Sequence, residues 1–256
     1  MQLIFLGTGS HLGLPRVGCR CGGCAYMFEK GGKNFRTRSS LLVSDRRQNI
    51  MIDASPDIHV QLLRERVMQI SAILISHSHR DAITGLSDIQ EIWRIREKPV
   101  PVYASADTWK VILSHYKFLL PYMRQSIIEP GKELVFGDIR ITAFNVEHEE
   151  PVQTLGFVLQ QGKRKVVYVS DARRLPDLSI MQKPDLLIID GCGLKPSADH
   201  MSIYKAAEYG RALAAKRTLF THIGHGNLPQ DLLEIFCERE FGPGFEPAYD
   251  GLKIQI

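Results

Sequence analysis

The chain has 256 residues, 44% hydrophobic and 23% charged, with a formal net charge of +4. That length can bury a substantial core, and so mild a charge suits an anionic substrate without implying nucleic acid. No apolar run reaches the length of a membrane span and no basic stretch leads into a long apolar one at the N-terminus, so a soluble, cytoplasmic protein with no membrane partner is expected.

Leu3-Ile4-Phe5-Leu6 predicts a first strand, broken by Gly7-Thr8-Gly9-Ser10. The glycine pair is a weak phosphate signal, because no helix pattern or P-loop lysine follows it. The stretch to about Lys33 is rich in Gly and Cys and reads as a loop that something must hold. Three of the five cysteines, Cys19, Cys21 and Cys24, fall within six positions, a spacing that argues for metal over disulfides in a chain without an export signal. Cys192 and Cys237 read as buried thiols. Lys33, Arg36, Arg38, Arg46 and Arg47 form a basic cluster read as a solvated face, with phosphate attraction as the alternative.

Two strands, Ser40–Val43 and Asn49–Ile52, flank a polar turn at Asp45-Arg46-Arg47-Gln48, and the second ends at Asp53. Ser55-Pro56-Asp57 predicts a helix start with proline at the first helical position. Ala72–Ile75 is a short apolar run expected to be a buried strand. Further helices are expected over Leu86–Arg96, Thr108–Phe118, Leu178–Met181, Ser202–Ala214 and around Leu232–Phe236. Strands are expected at Val100–Tyr103, Leu134–Phe136, Ile139–Val146, Gly156–Leu159, Val166–Val169, Leu186–Ile189 and Arg217–Phe220. Strands and helices mix in both halves without a linker, so residues 1–256 read as one domain. Two sheets packed face to face with helices outside fit this order better than one parallel sheet.

The centre of the chain is Ser76-His77-Ser78-His79-Arg80-Asp81-Ala82, directly after the buried run. Two imidazoles and a carboxylate can converge where a strand ends and the chain turns, and that donor set suits zinc, manganese or iron. His148, Asp171 and His222 each follow an apolar strand in the same way, and strand ends of this kind gather on the sheet edge where sites are built. Asp53 is expected to order the strand end or a metal-bound histidine.

These motifs resemble the metallo-β-lactamase superfamily and, within it, the PhnP-like group of phosphodiesterases. The resemblance runs from Leu6-Gly7-Thr8-Gly9 and the Cys-x-Cys-x-x-Cys cluster through the His-x-His-x-Asp stretch to Asp199-His200 and Thr221-His222-Ile223-Gly224-His225. It implies an αββα sandwich of two mixed sheets, and a metal-dependent hydrolase in which metal-activated water attacks a small or cyclic phosphodiester. It also implies a first metal (Mn, Zn or Fe) on His77, His79 and His148 with Asp171 bridging, and a second on Asp81, Asp171 and His222. Asp81 and His200 are implied as catalytic residues, His200 protonating the leaving oxygen or orienting the phosphate. A structural zinc is implied on Cys19, Cys21, Cys24 and His225, a set that also makes a closed tetrahedral shell on chemical grounds. The chain departs from the family pattern at Ala82, where a histidine ligand is expected. Engineered or natural, alanine coordinates nothing, and the second metal should be weakly held or absent.

The alternatives are a PqqB-like member, a tRNase Z-like member, and a catalytically impaired protein that binds phosphate ligands. The tRNA-processing relatives carry a projecting arm for which this chain shows no basic insertion, so nucleic acid is not an expected partner. A homodimer is the default expectation for a soluble enzyme.

Overall fold

The computed structural model describes residues 1–45 and 48–256, so the Arg46-Arg47 part of the expected turn and basic cluster lies outside the described residues. The first sheet is built mainly from β1 (Gln2–Gly7), β2 (Ser40–Ser44), β3 (Asn49–Ile52), β4 (Ala72–Leu74), β5 (Val100–Ala104) and β6 (Met123–Ile127). The second holds β7 (Glu133–Phe136), β8 (Ile139–Val146), β9 (Thr154–Gln161), β10 (Arg164–Val169), β11 (Leu186–Asp190), β12 (Thr218–Thr221) and β13 (Phe245–Pro247), and β14 (Lys253–Gln255) returns to the first. Among the described residues the strand orders are β14-β1-β2-β3-β4-β5-β6 and β13-β12-β11-β10-β9-β8-β7, seven strands each.

The two faces of each sheet explain why so many strands read as continuous apolar runs, since both faces are covered. Side chains alternate across a strand. In β4, Leu74 points into the core between the sheets with Phe5, Leu41, Phe157, Tyr168 and Ile188, while Ile73 points outward. That outer layer packs Ile73 with Leu86, Ile89, Trp109 and Ile112 beneath α2 (Ile58–Glu65), α4 (Ile89–Arg96) and α5 (Ala106–Tyr116). On the far side, Val167, Leu187 and Ile189 pack with Ile203, Ala206 and Leu233 of α6 (Ile203–Ala212) and α7 (Gln230–Phe241). The result is the expected four-layer αββα sandwich.

The pairing directions decide where chemistry can gather. β3 through β6 pair in parallel, as do β10 through β13, whereas β8-β9-β10 are antiparallel. The C-terminal ends of β3, β4, β8, β10, β11 and β12 therefore open on one edge of the sandwich, the edge where open α/β sheets bind ligands. A bond from Leu155 N to Ser76 O (2.9 Å) ties the two sheets together there.

Several expectations are corrected. The Cys-rich stretch is not all loop: α1 (Gly22–Lys30) lies within it, and the Cys21 sulfur caps it by accepting from Cys24 N at 3.4 Å. Gly22-Gly23 in the first turn hide the helical pattern. The helix expected from Pro56 begins at Ile58, because the Ser55 hydroxyl holds a preceding turn through Asp57 N. The His-rich stretch includes a helical turn, α3 (Arg80–Ile83), and the helix expected from Leu86 is a 3₁₀ turn over Thr84–Asp88 followed by α4. The short strands β6, β13 and β14 carried no readable pattern.

Within the basic cluster, Arg36 does not belong to a solvated face. Arg36 is buried, with its guanidinium donating to Thr8 Oγ1 and Ala248 O (2.6 Å each) and to Gln230. Arg38 pairs with Asp57 at 2.9 Å, and Lys33 lies 4.3 Å over the Tyr249 ring. Gly7 serves packing: a Cβ there would lie 1.9 Å from Arg38 O. No helix among the described residues is long and apolar enough to cross a membrane.

Candidate metal centre and cleft

The cleft at the C-terminal strand edge has a volume of about 840 Å³ and is lined by His79, Asp81, His148, Asp171, His200 and His222 among others. His77 and His79 stand in the turn after β4, Asp81 on α3, His148 beyond β8, Asp171 beyond β10 and His222 beyond β12. The rings of His77, His79 and His148 lie 4.6 to 5.5 Å apart, mutually edge-on. Asp171 Oδ1 sits between the two halves of the site, 4.0 Å from His77 Nε2 and 3.0 Å from His222 Nε2, and His222 Nε2 is 3.5 Å from Asp81 Oδ2. The structure thus brings His77, His79 and His148 into one donor group and Asp81, Asp171 and His222 into a second.

Two backbone positions in the site are unusual. Asp53 and His222, each the first residue after a strand, have φ of 64° and 54°. Left-handed backbone is uncommon outside glycine and concentrates where function fixes a side chain. At Asp53 it lets one carboxylate meet the β4 loop, accepting from Ser76 N at 2.7 Å and Ser76 Oγ at 2.9 Å. Burial pushes the Asp53 carboxyl up to about 8; once ionised it takes the Ser76 hydroxyl proton in a hydrogen bond, and Ser76 Oγ then accepts from His77 Nδ1 at 2.8 Å. This relay leaves His77 Nε2 unprotonated and facing the cleft, buried and without a hydrogen-bond partner among the described residues. Burial lowers His77 to about 4, so the ring is neutral. His148 is fixed similarly, through Nδ1 on Asp199 O at 2.8 Å.

The electrostatics point the same way. Burial opposes the charge on Asp171, but the facing His222, His77, His148 and His200 outweigh it and hold the carboxyl well below its usual range. Burial likewise opposes charge on His222, yet Asp171 and Asp81 raise it well above the usual range. Two buried carboxylates beside His222, with a neutral His77 whose Nε2 is orphaned, are a donor set a dication fits, because it would neutralise the carboxylates in place of the His222 proton and complete the imidazoles.

At Ala82 there is no donor. The methyl is 2% exposed and packs in the apolar layer under α2 and α4, while the carbonyl accepts from Ala54 N at 2.8 Å. Glu149, unremarked in the sequence, places Oε2 3.1 Å from His79 Nε2 at the cleft rim.

His200 enters from the loop after β11, its ring stacked on that of His222 at 4.8 Å. Asp190, also missed, is completely buried at the end of β11. Its Oδ2 accepts from His200 Nδ1 (2.7 Å) and Ala172 N (2.9 Å), and its Oδ1 from Cys192 N (2.8 Å). Burial disfavours the His200 cation, but the bond to Asp190 and its charge prevail and raise the imidazole above its ordinary value. Asp190 carried the signal that marked Asp171, a carboxylate ending an apolar run. Cys192 is not a buried thiol: it is half-buried and lines the cleft.

Beside the cleft, the sulfurs of Cys19 and Cys21 each lie 3.3 Å from His225 Nε2, and Cys24 completes the group from the first turn of α1. Three thiols and an imidazole fit a closed tetrahedral zinc shell.

The beta-lactamase superfamily domain matches residues 48–223, and the chain belongs to this family of metal-dependent hydrolases. A diphosphatase of the PhnP family superposes with a TM-score of 0.88 at 28% identity, covering 100% of this chain and 97% of the other. Zn²⁺-bound PqqB from Methylobacterium extorquens gives 0.86 at 20% identity with both chains covered completely, which shows the shared fold. The octanoyltransferase of Porphyromonas gingivalis (strain ATCC BAA-308 / W83) is 27% identical over the whole of this chain, which spans 52% of that protein's length.

Proposed function

We propose that the chain hydrolyses small phosphodiesters with two divalent cations in the cleft, the first on His77, His79, His148 and Asp171, the second on Asp81, Asp171 and His222. A separate zinc on Cys19, Cys21, Cys24 and His225 holds the loop. The observation that carries this reading is the placement of Asp171 Oδ1 between His77 Nε2 and His222 Nε2, a bridging position between two donor groups. The similarity to a PhnP-family diphosphatase supports chemistry at phosphorus, and a cleft of about 840 Å³ matches a small-molecule ligand.

Bound cations supply Lewis-acid charge to the phosphoryl oxygens and the attacking water. The chain's own residues do the rest. The Asp53-Ser76-His77 relay and the bond from His148 to Asp199 O keep the Nε2 lone pairs aimed inward. Asp190 holds His200 by Nδ1, which leaves Nε2–H on the cleft side to hydrogen-bond the phosphate or give a proton to the departing oxygen.

The test is hydrolysis of bis(p-nitrophenyl) phosphate by protein loaded with Mn²⁺ or Zn²⁺. Turnover that is lost on chelation and in Asp171→Asn supports the reading, and turnover indifferent to both overturns it. Ala82 favours a second reading, a protein that binds phosphate ligands without turnover. If Ala82→His is as inactive as the parent while both bind phosphate, that second reading replaces the first.

A further inference from the structure

Histidines that face a metal or a substrate are aimed by what their other nitrogen touches. Three imidazoles of this cleft follow the rule with oxygen acceptors: His77 on Ser76 Oγ, His148 on Asp199 O and His200 on Asp190 Oδ2. His222 does not. Its Nε2 is engaged with Asp171 and Asp81, and its Nδ1 is buried with no hydrogen-bond partner among the described residues, in a side chain 1% exposed.

A sulfur lies close to this ring. Cys192 Sγ lies within 4.8 Å of a His222 ring nitrogen. The surrounding backbone is built to bring the thiol there. Cys192 N donates to Asp190 Oδ1 (2.8 Å), and its carbonyl accepts from Gly224 N (2.9 Å) and Asn227 Nδ2 (2.8 Å). Residue 224 has no room for a side chain: a Cβ would lie 2.8 Å from Cys192 Sγ and 2.7 Å from Cys192 O. The glycine of Thr221-His222-Ile223-Gly224-His225 is thus the gap through which residue 192 approaches the loop.

We propose that Cys192 is a positioning residue whose sulfur accepts the Nδ1–H of His222 and so commits His222 Nε2 to the position between Asp81 and Asp171. The consequence for metal rests on reading Asp81, Asp171 and His222 as a cation site; the hydrogen bond itself does not. With Ala82 supplying nothing, His222 is the one imidazole of that trio, and its orientation carries more of the affinity. Sulfur suits the place because it reaches further than a hydroxyl oxygen, so serine restores the bond only in part.

Two measurements on the full chain test this. In the first, ¹H–¹⁵N spectra of histidine-labelled, metal-free protein should show a slowly exchanging His222 Nδ1–H, assigned by its loss in His222→Gln. In Cys192→Ala it should move or exchange rapidly, with the His148 Nδ1–H unmoved and Cys192→Ser in between. In the second, titration with Mn²⁺ alone should show the weaker of two cleft sites losing about 10- to 100-fold in affinity in Cys192→Ala, the tighter site unchanged and serine partly rescuing. A His222 Nδ1–H that keeps its shift and exchange rate in both variants overturns the hydrogen bond. An unmoved Mn²⁺ affinity alongside a moved resonance overturns its role in coordination. A parent protein that binds no Mn²⁺ in the cleft refutes the metal reading instead, and the first measurement still decides the bond.

Discussion

At the thiol cluster, three of four donors lie within six residues of one another at the start of α1, and only His225 comes from a distance. In the cleft, six donors come from the ends of four strands, spread from His77 to His222, and belong to both sheets. Cys21 and His225 are exposed, whereas His77, Asp171 and His222 are 5% exposed or less. A local set can close with little loss of chain entropy and needs the metal to finish it. A non-local set exists only after both sheets have formed, and the fold then holds its donors in place beforehand. On the proposed reading the first plan would give a staple and the second an open, reactive centre, and both hang on the one loop that carries His222 and His225.

The sharpest way to break this contrast is Asp171→Asn. Hydrolysis should fall by roughly three orders of magnitude, the several kcal/mol of charge stabilisation a cation supplies, while Tm is not lowered. Steady-state kinetics and a melting curve check both halves. Cys24→Ser should do the reverse, removing one zinc per chain and several kcal/mol of stability, roughly 10 °C in Tm for a chain of this size. Elemental analysis with calorimetry reads it out.

Asp53→Asn tests whether the cleft is organised beforehand. An amide can donate to Ser76 Oγ, which frees the hydroxyl to donate to His77 Nδ1 and puts the ring proton on Nε2. Metal affinity in the cleft should drop about 10- to 100-fold with the thiol-cluster zinc unaffected. Ala82→His should raise cleft metal content by about one per chain and cost about 1–3 kcal/mol from crowding the apolar layer, seen as a lower Tm before metal is added. The smallest effect concerns Cys237, whose thiol burial pushes up to about 12. Below that pH it stays neutral and unreactive, so iodoacetamide at pH 8 should label Cys19 and Cys21 after chelation and leave Cys237 unmodified by mass spectrometry.

What the sequence made legible follows the same division. The buried strands announced themselves because both faces of each sheet are covered, and His77, His148, Asp171 and His222 could be picked out because each follows such a strand. Of the residues that aim them, Asp53 was legible in the same way and Asp190 carried the same signal, but the others could not be picked out. Ser76 and Glu149 acquire their roles only when distant segments meet, and Cys192 looked like any isolated thiol. Arg36 misled for a related reason: in sequence it sits among other basic residues, yet its acceptors are Thr8, Gln230 and Ala248, two of them nearly 200 or more positions away. The short edge strands β13 and β14 hide because three residues show no period.

The first and last residues meet: the Met1 ammonium donates to Ile256 O at 3.1 Å, and β1 and β14 pair antiparallel. β1 runs toward the cleft edge, so this junction lies at the opposite end of the sandwich. A polypeptide spliced on at either end would start from the same spot on the base and leave the mouth of the cleft unobstructed. In engineering terms the fold is a plug-in module with both leads on one side.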